Sequence, residues 1–166
     1  YAGEDFNACG DGNVLLNADE PVIGNGLWSS PDNNITIVSP MDHLTNVLNL
    51  SEGQNIFYWT LSNQACGVFS IDTIIVGFES APIASNDAVD ILFGGTGEVN
   101  VVANDIISGL YTLTVVTDPN HGQATVTSDG SIIYQAAFPY AGDDILTYQI
   151  CSQECPDVCA TANLVI

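Results

Sequence analysis

Three cysteines with an even spacing of four residues lie near the end of the sequence, in the segment CSQECPDVCATANLVI: Cys151, Cys155 and Cys159. Cysteines can ligate zinc, exchange electrons as a redox pair or form a disulfide. A structural zinc site needs four Cys or His ligands at short spacings, and no His lies in this segment. A redox motif of the C-x-x-C type is also missing. The pattern therefore favours a disulfide.

The sequence around these cysteines is typical of a β-hairpin. ILTYQIC forms the first strand, a turn follows near Pro156, and CATANLVI forms the returning strand. We therefore predict a disulfide between Cys151 and Cys159, which would lie on facing strands. Pairing of either one with Cys155 is the alternative. If Cys155 is left over, it is a free thiol or bonds to another chain.

The first half of the sequence contains Cys9, near its first strand, and Cys66, before its last strand. We predict that these two cysteines form a disulfide that staples a small domain. The use of cysteine in both halves indicates an oxidising, extracellular setting.

Oxygen-bearing side chains in the second half suggest a calcium site. Calcium takes six to eight oxygen ligands from carboxylates, amides and carbonyls. The candidate ligands are those that could converge at one end of a sandwich: Asn86, Asp87, Asp90, Asn104, Asp105, Asp143 and Asp144. The alternative is that these residues serve turns and solvated loops.

Catalytic patterns are weak. Asp42 precedes His43, but no G-x-S-x-G motif accompanies the pair, and His121 in NHG is typical of a turn. We therefore predict that the chain is not an enzyme. Alternation along NIFYWTL places Phe57 and Trp59 on one face, which favours a core over a sugar-stacking platform.

The charge excludes several classes of partner. The sequence contains 20 acidic residues, neither Lys nor Arg, and a formal net charge of -20. Binding to nucleic acid or to an anionic membrane surface requires basic side chains. No segment approaches the roughly 18 apolar residues of a membrane span, so we expect no direct membrane insertion. Because the chain starts at Tyr1, we expect a processed product or a segment of something longer.

The elements that would position these residues are strands. Hydrophobic residues make up 46% of the sequence, and short apolar runs alternate with turn clusters about every ten residues. The segment ESAPIASND is the best linker candidate. We predict an all-β protein with two tandem β-sandwich domains, residues 1–79 and 80–166. We expect TANLVI and DTIIVGF to offer sheet edges for contacts with other chains.

Both halves resemble repeats of large bacterial surface proteins. In the first half, AGEDFNACGDG, GNGLWSSP, SPMDHLTNVLNLSEGQNIFYWTLSNQACG and SIDTIIV resemble PKD-like, immunoglobulin-like repeats. In the second half, APIASND, VVANDI, PNHGQATVTSDGSIIY, YAGDDILTYQIC and CPDVCATANLVI resemble cadherin-like tandem repeats. Repeats of both kinds are found in gliding adhesins and other type IX-secreted proteins of Bacteroidota.

The resemblance implies a function and a modification site. It implies a non-enzymatic structural repeat of a long extracellular surface adhesin or filament, whose partners are neighbouring copies or repeats of the same protein. The alternative is a calcium-dependent adhesion module that binds glycans or surfaces. The motif DTI matches a short motif that these bacteria O-glycosylate, which makes Thr73 a candidate glycosylation site, although Thr is also common in strands.

Overall fold

The computed structural model describes residues 1–65 and 67–166, and the chain divides into two compact units, Tyr1–Ser80 and Ala81–Ile166. The described residues form fourteen β-strands. This confirms the prediction of an all-β protein with two tandem immunoglobulin-like sandwiches. The division falls within the segment that was predicted as a linker.

Unit 1 contains seven strands, in chain order β1 (Phe6–Gly10), β2 (Val14–Asn17), β3 (Asn25–Ser29), β4 (Thr36–Ile37), β5 (Leu44–Leu48), β6 (Gly53–Asn63) and β7 (Gly67–Ser80). Four of them form a sheet in the order β1-β7-β6-β3, and the others form a second sheet in the order β2-β5-β4. The first strand pairs in parallel with the last, in a register that runs from Phe6 opposite Val76 to Gly10 opposite Ser80.

Unit 2 also contains seven strands, in chain order β8 (Asp87–Ala88), β9 (Thr96–Asn100), β10 (Tyr111–Thr117), β11 (Gly122–Val126), β12 (Ser131–Ala136), β13 (Ile145–Ser152) and β14 (Cys159–Val165). Their sheets follow the orders β10-β13-β14-β8 and β11-β12-β9. If the strands of each unit are counted from one, both units have the orders 1-7-6-3 and 2-5-4. The same topology is therefore built twice in one chain.

Each unit has its own apolar core, formed by alternate residues of the strands. In unit 1, Phe57 and Trp59 of β6 are buried on one face, as the alternation predicts, and Trp59 packs against Trp28 of β3 with ring centroids 5.0 Å apart. In unit 2, Tyr134 and Tyr148 are the largest buried side chains. These two tyrosines bring hydroxyl groups into the core, and the polar networks around them form the candidate site.

Two expectations about strands are wrong. The apolar run AVDILF is one of the runs expected to be strands, but only its Ala88 lies in β8, because the partner β14 ends at Val165 and the ladder cannot continue. Leu92 therefore lies in a loop and is 87% exposed. The segment TANLVI lies within β14, between β13 and β8, and DTIIVGF lies within β7, between β6 and β1. Neither strand is an edge of its sheet.

None of the described residues forms a helix that is long and apolar enough to span a membrane.

Candidate functional site

A buried tyrosine organises the first polar network of unit 2. β13 carries Tyr148 into the core, and its hydroxyl lies 2.8 Å from Oδ2 of Asp87 and 2.8 Å from the carbonyl oxygen of Ser85. The carbonyl oxygen of Val101 lies 3.2 Å away. A phenol has one hydrogen to donate, so these oxygens compete for a single donor. Acceptors outnumber donors at this point.

A second carboxylate increases that imbalance. Oδ1 of Asp105 accepts a hydrogen bond from the backbone N–H of Ser85, with a nitrogen–oxygen distance of 2.7 Å. Oδ2 of Asp105 is buried and has no hydrogen-bond partner among the described residues. A buried carboxylate oxygen without a donor is costly, and proteins keep few such atoms. We call Tyr148, Asp87, Asp105 and Ser85 the Tyr148 network.

The pKa values of the Tyr148 network reflect burial. Burial raises the pKa of Asp87, the charge of Asp105 raises it further, and hydrogen bonds from Tyr148 and Asn104 oppose both effects. Burial likewise raises the pKa of Asp105. The pKa of Tyr148 is raised by burial first and then by its hydrogen bond to Asp87. Burial therefore favours the protonated forms of these carboxyl groups.

Two asparagines fix the loops that carry these carboxylates. The side-chain amide of Asn104 donates to the carbonyl oxygen of Asn86 at 3.2 Å, and Oδ1 of Asn86 accepts from the backbone N–H of Asn163 at 2.9 Å. A backbone bridge between Ile83 and Ile106 joins the same two loops. Asn86 and Asn104 therefore lie beside the Tyr148 network, on the loops that bear Asp87 and Asp105.

A second network surrounds Tyr134 and differs in its balance of donors and acceptors. Asp144 accepts hydrogen bonds from the backbone N–H groups of Asn120, His121 and Ile145 and from the hydroxyl of Tyr134, at distances of 2.8 to 3.0 Å. Burial alone would raise the pKa of Asp144, but these four bonds together lower it. Burial and Asp144 raise the pKa of Tyr134 to about 12. We call this group the Asp144 network.

The structure divides the seven predicted calcium ligands among different places. Four of them lie in or beside the Tyr148 network: Asn86, Asp87, Asn104 and Asp105. Asp144 belongs to the other network, and Asp90 and Asp143 line a pocket near Tyr140. Within residues 1–65 and 67–166, no group of three or more His, Cys, Asp or Glu side chains is arranged to hold a metal ion.

The cysteine hairpin has the predicted pairing of strands. Cys151 of β13 lies opposite Cys159 of β14, and the two form a disulfide with their Cα atoms 4.1 Å apart. Cys155 is 5% exposed, so it is buried in the turn between the two strands. Its backbone N–H donates to Oγ of Ser152 at 3.0 Å, which folds the turn inward. Cys155 is itself disulfide-bonded, so the expectation of a leftover free thiol is wrong.

The other predicted residues have local roles. Cys9 lies in β1, and its predicted pairing with Cys66 lies outside the described residues. Thr73 is exposed on β7, opposite Tyr58, so its hydroxyl is accessible to solvent. The carbonyl oxygen of His43 accepts a hydrogen bond from Nε1 of Trp28, and the ring of His121 stacks on Tyr140.

The tyrosines are the residues that the sequence analysis missed. Tyr148 lies in the alternating segment ILTYQIC, which predicts a buried side chain at that position. A buried tyrosine hydroxyl needs a hydrogen-bond partner. A buried tyrosine in an acid-rich domain was thus a signal for a tyrosine–carboxylate network.

Solved structures similar to this chain include a fragment of titin and a PKD domain. A three-Ig fragment of titin, in an E-to-A mutated variant, is 9% identical with a TM-score of 0.51, and the match covers 99% of this chain and 62% of the fragment. A PKD domain from the KIAA 1837 protein is 20% identical with a TM-score of 0.40, over 51% of this chain and 91% of that domain. The chain thus spans less than two thirds of the titin fragment.

Among curated proteins, no sequence matches significantly. A family model described as "Bacterial Ig domain" matches residues 79–165, which is more than half of the chain. The match covers unit 2, including both tyrosine–carboxylate networks and the cysteine hairpin. The chain belongs to the bacterial Ig domain family.

Proposed function

We propose that this chain is a non-enzymatic structural repeat of a long extracellular surface adhesin or filament, of the type IX-secreted kind found in Bacteroidota, and that it contacts neighbouring copies. The observation that carries the proposal is the repeated topology: two successive units build the same pair of sheets. A chain of such units extends by adding repeats that each fold around their own core. The disulfide of unit 2 suits an oxidising location outside the cell.

Strand pairing in both units suits a load-bearing role. The first strand of each unit pairs in parallel with the last. Tension applied to both ends of a unit pulls these two strands in opposite directions, so the hydrogen bonds between them are loaded together in shear. This pairing includes all five residues of β1 in unit 1, but only Leu164 and Val165 opposite β8 in unit 2. Unit 1 should therefore resist force better than unit 2.

Single-molecule force spectroscopy on the whole chain tests this proposal. We expect two unfolding events, with the stronger one belonging to unit 1. The variant Ala8→Pro removes one N–H from β1 and should lower the force of the stronger event. The weaker event in the same molecule is the control and should not change. Two weak events that the proline leaves unaltered would contradict a load-bearing role.

A second function is supported by the Tyr148 network: calcium-dependent adhesion. The atoms of this network that could ligate a metal ion are all oxygens, which suits calcium better than a transition metal. Asp87, Asp105 and the carbonyl of Ser85 would hold the ion, with Asn86 and Asn104 beside it. The unpartnered Oδ2 of Asp105 is the atom that most favours a cation here. Bound calcium would neutralise two carboxylates that burial disfavours.

Calorimetric titration and thermal unfolding with calcium test this second function. At a concentration of about 100 times the Kd, calcium should stabilise unit 2 by about 2.7 kcal/mol. The variant Asp105→Asn should abolish the effect, whereas Asp118→Asn, which removes the same charge at an exposed position, should retain it. Equal behaviour of the two variants would show that calcium acts only as a counterion.

Exposed rings supply a place where a surface glycan would bind. Phe93 and Phe138 meet edge to face with centroids 5.3 Å apart, and both are exposed. Phe93 lines a pocket of about 290 Å³ together with Asp90 and Asp143. Aromatic faces pack against sugar rings, and carboxylates accept hydrogen bonds from hydroxyl groups. Saturation-transfer NMR with a neutral oligosaccharide should give a signal that Phe138→Ser removes; an unchanged signal would contradict this role.

A further inference from the structure

The outer edge of β10 is open and carries no charge. β10 is an edge of the larger sheet of unit 2 and consists of YTLTVVT, without a charged residue or proline. Natural edge strands are usually blocked by charges, proline, bulges or short length. Here a bulge lies only near the far end, between Val115 and Thr117. At seven residues, β10 is the longest edge strand in the described part of the chain.

The register shows which backbone groups point outward. The N–H of Gln153 donates to the carbonyl of Leu110, so these two residues form a hydrogen-bonded pair between β10 and β13. Hydrogen-bonded pairs alternate along an antiparallel ladder. The backbone groups of Thr112 and Thr114 therefore face β13, and those of Tyr111, Leu113 and Val115 face outward. We call this outward side of residues 111–115 the β10 edge.

A groove keeps the β10 edge accessible. It has a volume of about 540 Å³ and runs along the first half of β10, with Thr127, Ser128 and Gly130 on its other wall. At the end of the groove, the side-chain amide of Gln153 donates to the carbonyl of Tyr111 at 3.0 Å. That carbonyl oxygen has a second lone pair and can accept another donor. The edge can therefore accept an extended chain.

Three of the other sheet edges are less open than the β10 edge. In unit 1 the third strand, β3, is also an edge, but the N–H of Trp28 donates to the carbonyl of Pro40 at 2.7 Å. Beside β1, the carboxylate of Asp5 accepts from the N–H of Ile75 at 2.8 Å, and β9 carries Glu98. Because every copy has a net charge of -20, a contact between copies is favoured where no carboxylates face each other.

We propose that the β10 edge is the surface through which two copies of this chain pair, with one β10 antiparallel to the other. This inference rests on the proposed contact between neighbouring copies. A two-fold axis through the Leu113 pair places Leu113 opposite Leu113 and Tyr111 opposite Val115. These hydrogen-bonded pairs use the outward backbone groups. Thr112 of one copy then lies opposite Thr114 of the other, a favourable uncharged pair. The larger sheets of two copies become one continuous sheet.

Sedimentation velocity of the whole chain at several salt concentrations tests this pairing first. At low salt, the charge of -20 keeps the copies apart. Raising the ionic strength from about 0.01 M to about 1 M shortens the Debye length from roughly 30 Å to roughly 3 Å, so we expect dimers to appear with salt. A protein that stays monomeric throughout would overturn the inference.

Matched glutamate variants then locate the contact. Thr114 on β10, Gln149 on β13 and Thr161 on β14 lie in one row, and both threonines are exposed. Thr114→Glu and Thr161→Glu therefore add the same charge to the same sheet face, but only the first lies at the edge. Thr114→Glu should weaken dimerisation about tenfold more than Thr161→Glu. Equal weakening would show that copies meet through the sheet face.

Cross-linking tests the register itself. A mixture of Thr112→Cys and Thr114→Cys proteins should form a disulfide-linked dimer faster than either variant alone, because only the mixture places the two new thiols directly opposite each other. Equal cross-linking in all three samples would overturn this register.

The β10 proposal and the load-bearing proposal can fail independently. The force experiment does not depend on dimers, so loss of the β10 contact would leave the load-bearing proposal intact. A weak unit 1 would leave the β10 result intact.

Discussion

The two units have one topology but satisfy their buried polar groups in different ways. Unit 1 centres on the Trp28–Trp59 pair, and its buried Asn55 is held by hydrogen bonds to backbone groups of Ser51, Gly53 and Val76. Unit 2 replaces these neutral groups with buried tyrosines that bind carboxylates. The topology determines where the core lies but not its chemistry. We expect unit 2 alone to respond strongly to protons and cations.

The two carboxylate networks of unit 2 extend the comparison. Asp144 receives four donors, whereas Asp87 and Asp105 have too few. Correspondingly, the pKa of Asp144 is lowered and those of Asp87 and Asp105 are raised. Ionised Asp144 stabilises the folded state, while ionised Asp105 opposes it. The Asp144 network therefore stabilises folded unit 2 through its charged form, whereas the Tyr148 network, for which we propose calcium binding, has carboxylates whose charge burial disfavours.

The largest effect is expected from Asp144→Ala. This change leaves three backbone N–H groups without their acceptor and leaves the Tyr134 hydroxyl only the carbonyl oxygen of His121, 3.0 Å away. We expect unit 2 to lose about 4 kcal/mol of unfolding free energy. Both tryptophans lie in unit 1, so tryptophan fluorescence follows unit 1, and circular dichroism follows both units. In guanidinium unfolding, only the midpoint of the unit 2 transition should shift, to a lower denaturant concentration.

The neighbouring residue provides the control for this variant. Asp143 is exposed, so Asp143→Ala removes the same charge without removing an acceptor from the buried hydrogen bonds. It should change the unfolding free energy of unit 2 by less than about 0.5 kcal/mol. Equal destabilisation by the two variants would mean that net charge, and not the buried hydrogen bonds, controls unit 2.

A smaller effect is expected in unit 1 from Gly26→Ala. A Cβ atom on Gly26 would overlap the ring of Trp59, which is buried and packed against Trp28. Overpacking of this kind costs about 2 kcal/mol. The midpoint of the unfolding transition seen by tryptophan fluorescence should shift to a lower guanidinium concentration. The midpoint of the unit 2 transition should not change. Ser29→Ala, at an exposed position on the same strand, should leave both in place.

The features that depend on local pattern could be predicted from the sequence. Alternation predicted the burial of Trp59, and the hairpin pattern predicted that Cys151 faces Cys159. The Tyr148 network depends on contacts between distant residues: Tyr148 and Asp87 are separated by 61 positions. Strand order decides which loops meet, and no local signal encodes that order. The same limit explains why β7 and β14 were taken for edges and β10 was not.

The smallest effect is expected from Asp105→Asn, and it should be favourable. Burial raises the pKa of Asp105 above the ordinary value of 3.8, so its charged form is disfavoured in folded unit 2. Asparagine retains an oxygen for the N–H of Ser85 and carries no charge. At neutral pH we expect the variant to stabilise unit 2 slightly in calcium-free buffer, measured as a higher midpoint of guanidinium unfolding.

The pH dependence of that gain separates the two networks. Below pH 3.8, Asp105 is protonated in both the folded and unfolded states, so Asp105→Asn should have little effect. The gain should grow as the pH rises above 3.8, because the carboxyl group ionises first in the unfolded state, and it should stay constant once the pH exceeds the raised pKa of the folded state. Asp144→Ala should behave oppositely: its pKa is lowered, so its cost is full at neutral pH and falls as acid protonates Asp144 in the folded state. If the change in unfolding free energy followed the same pH profile for both variants, the two carboxylates would be equally well hydrogen-bonded. The distinction between the Asp144 network and the Tyr148 network would then be wrong.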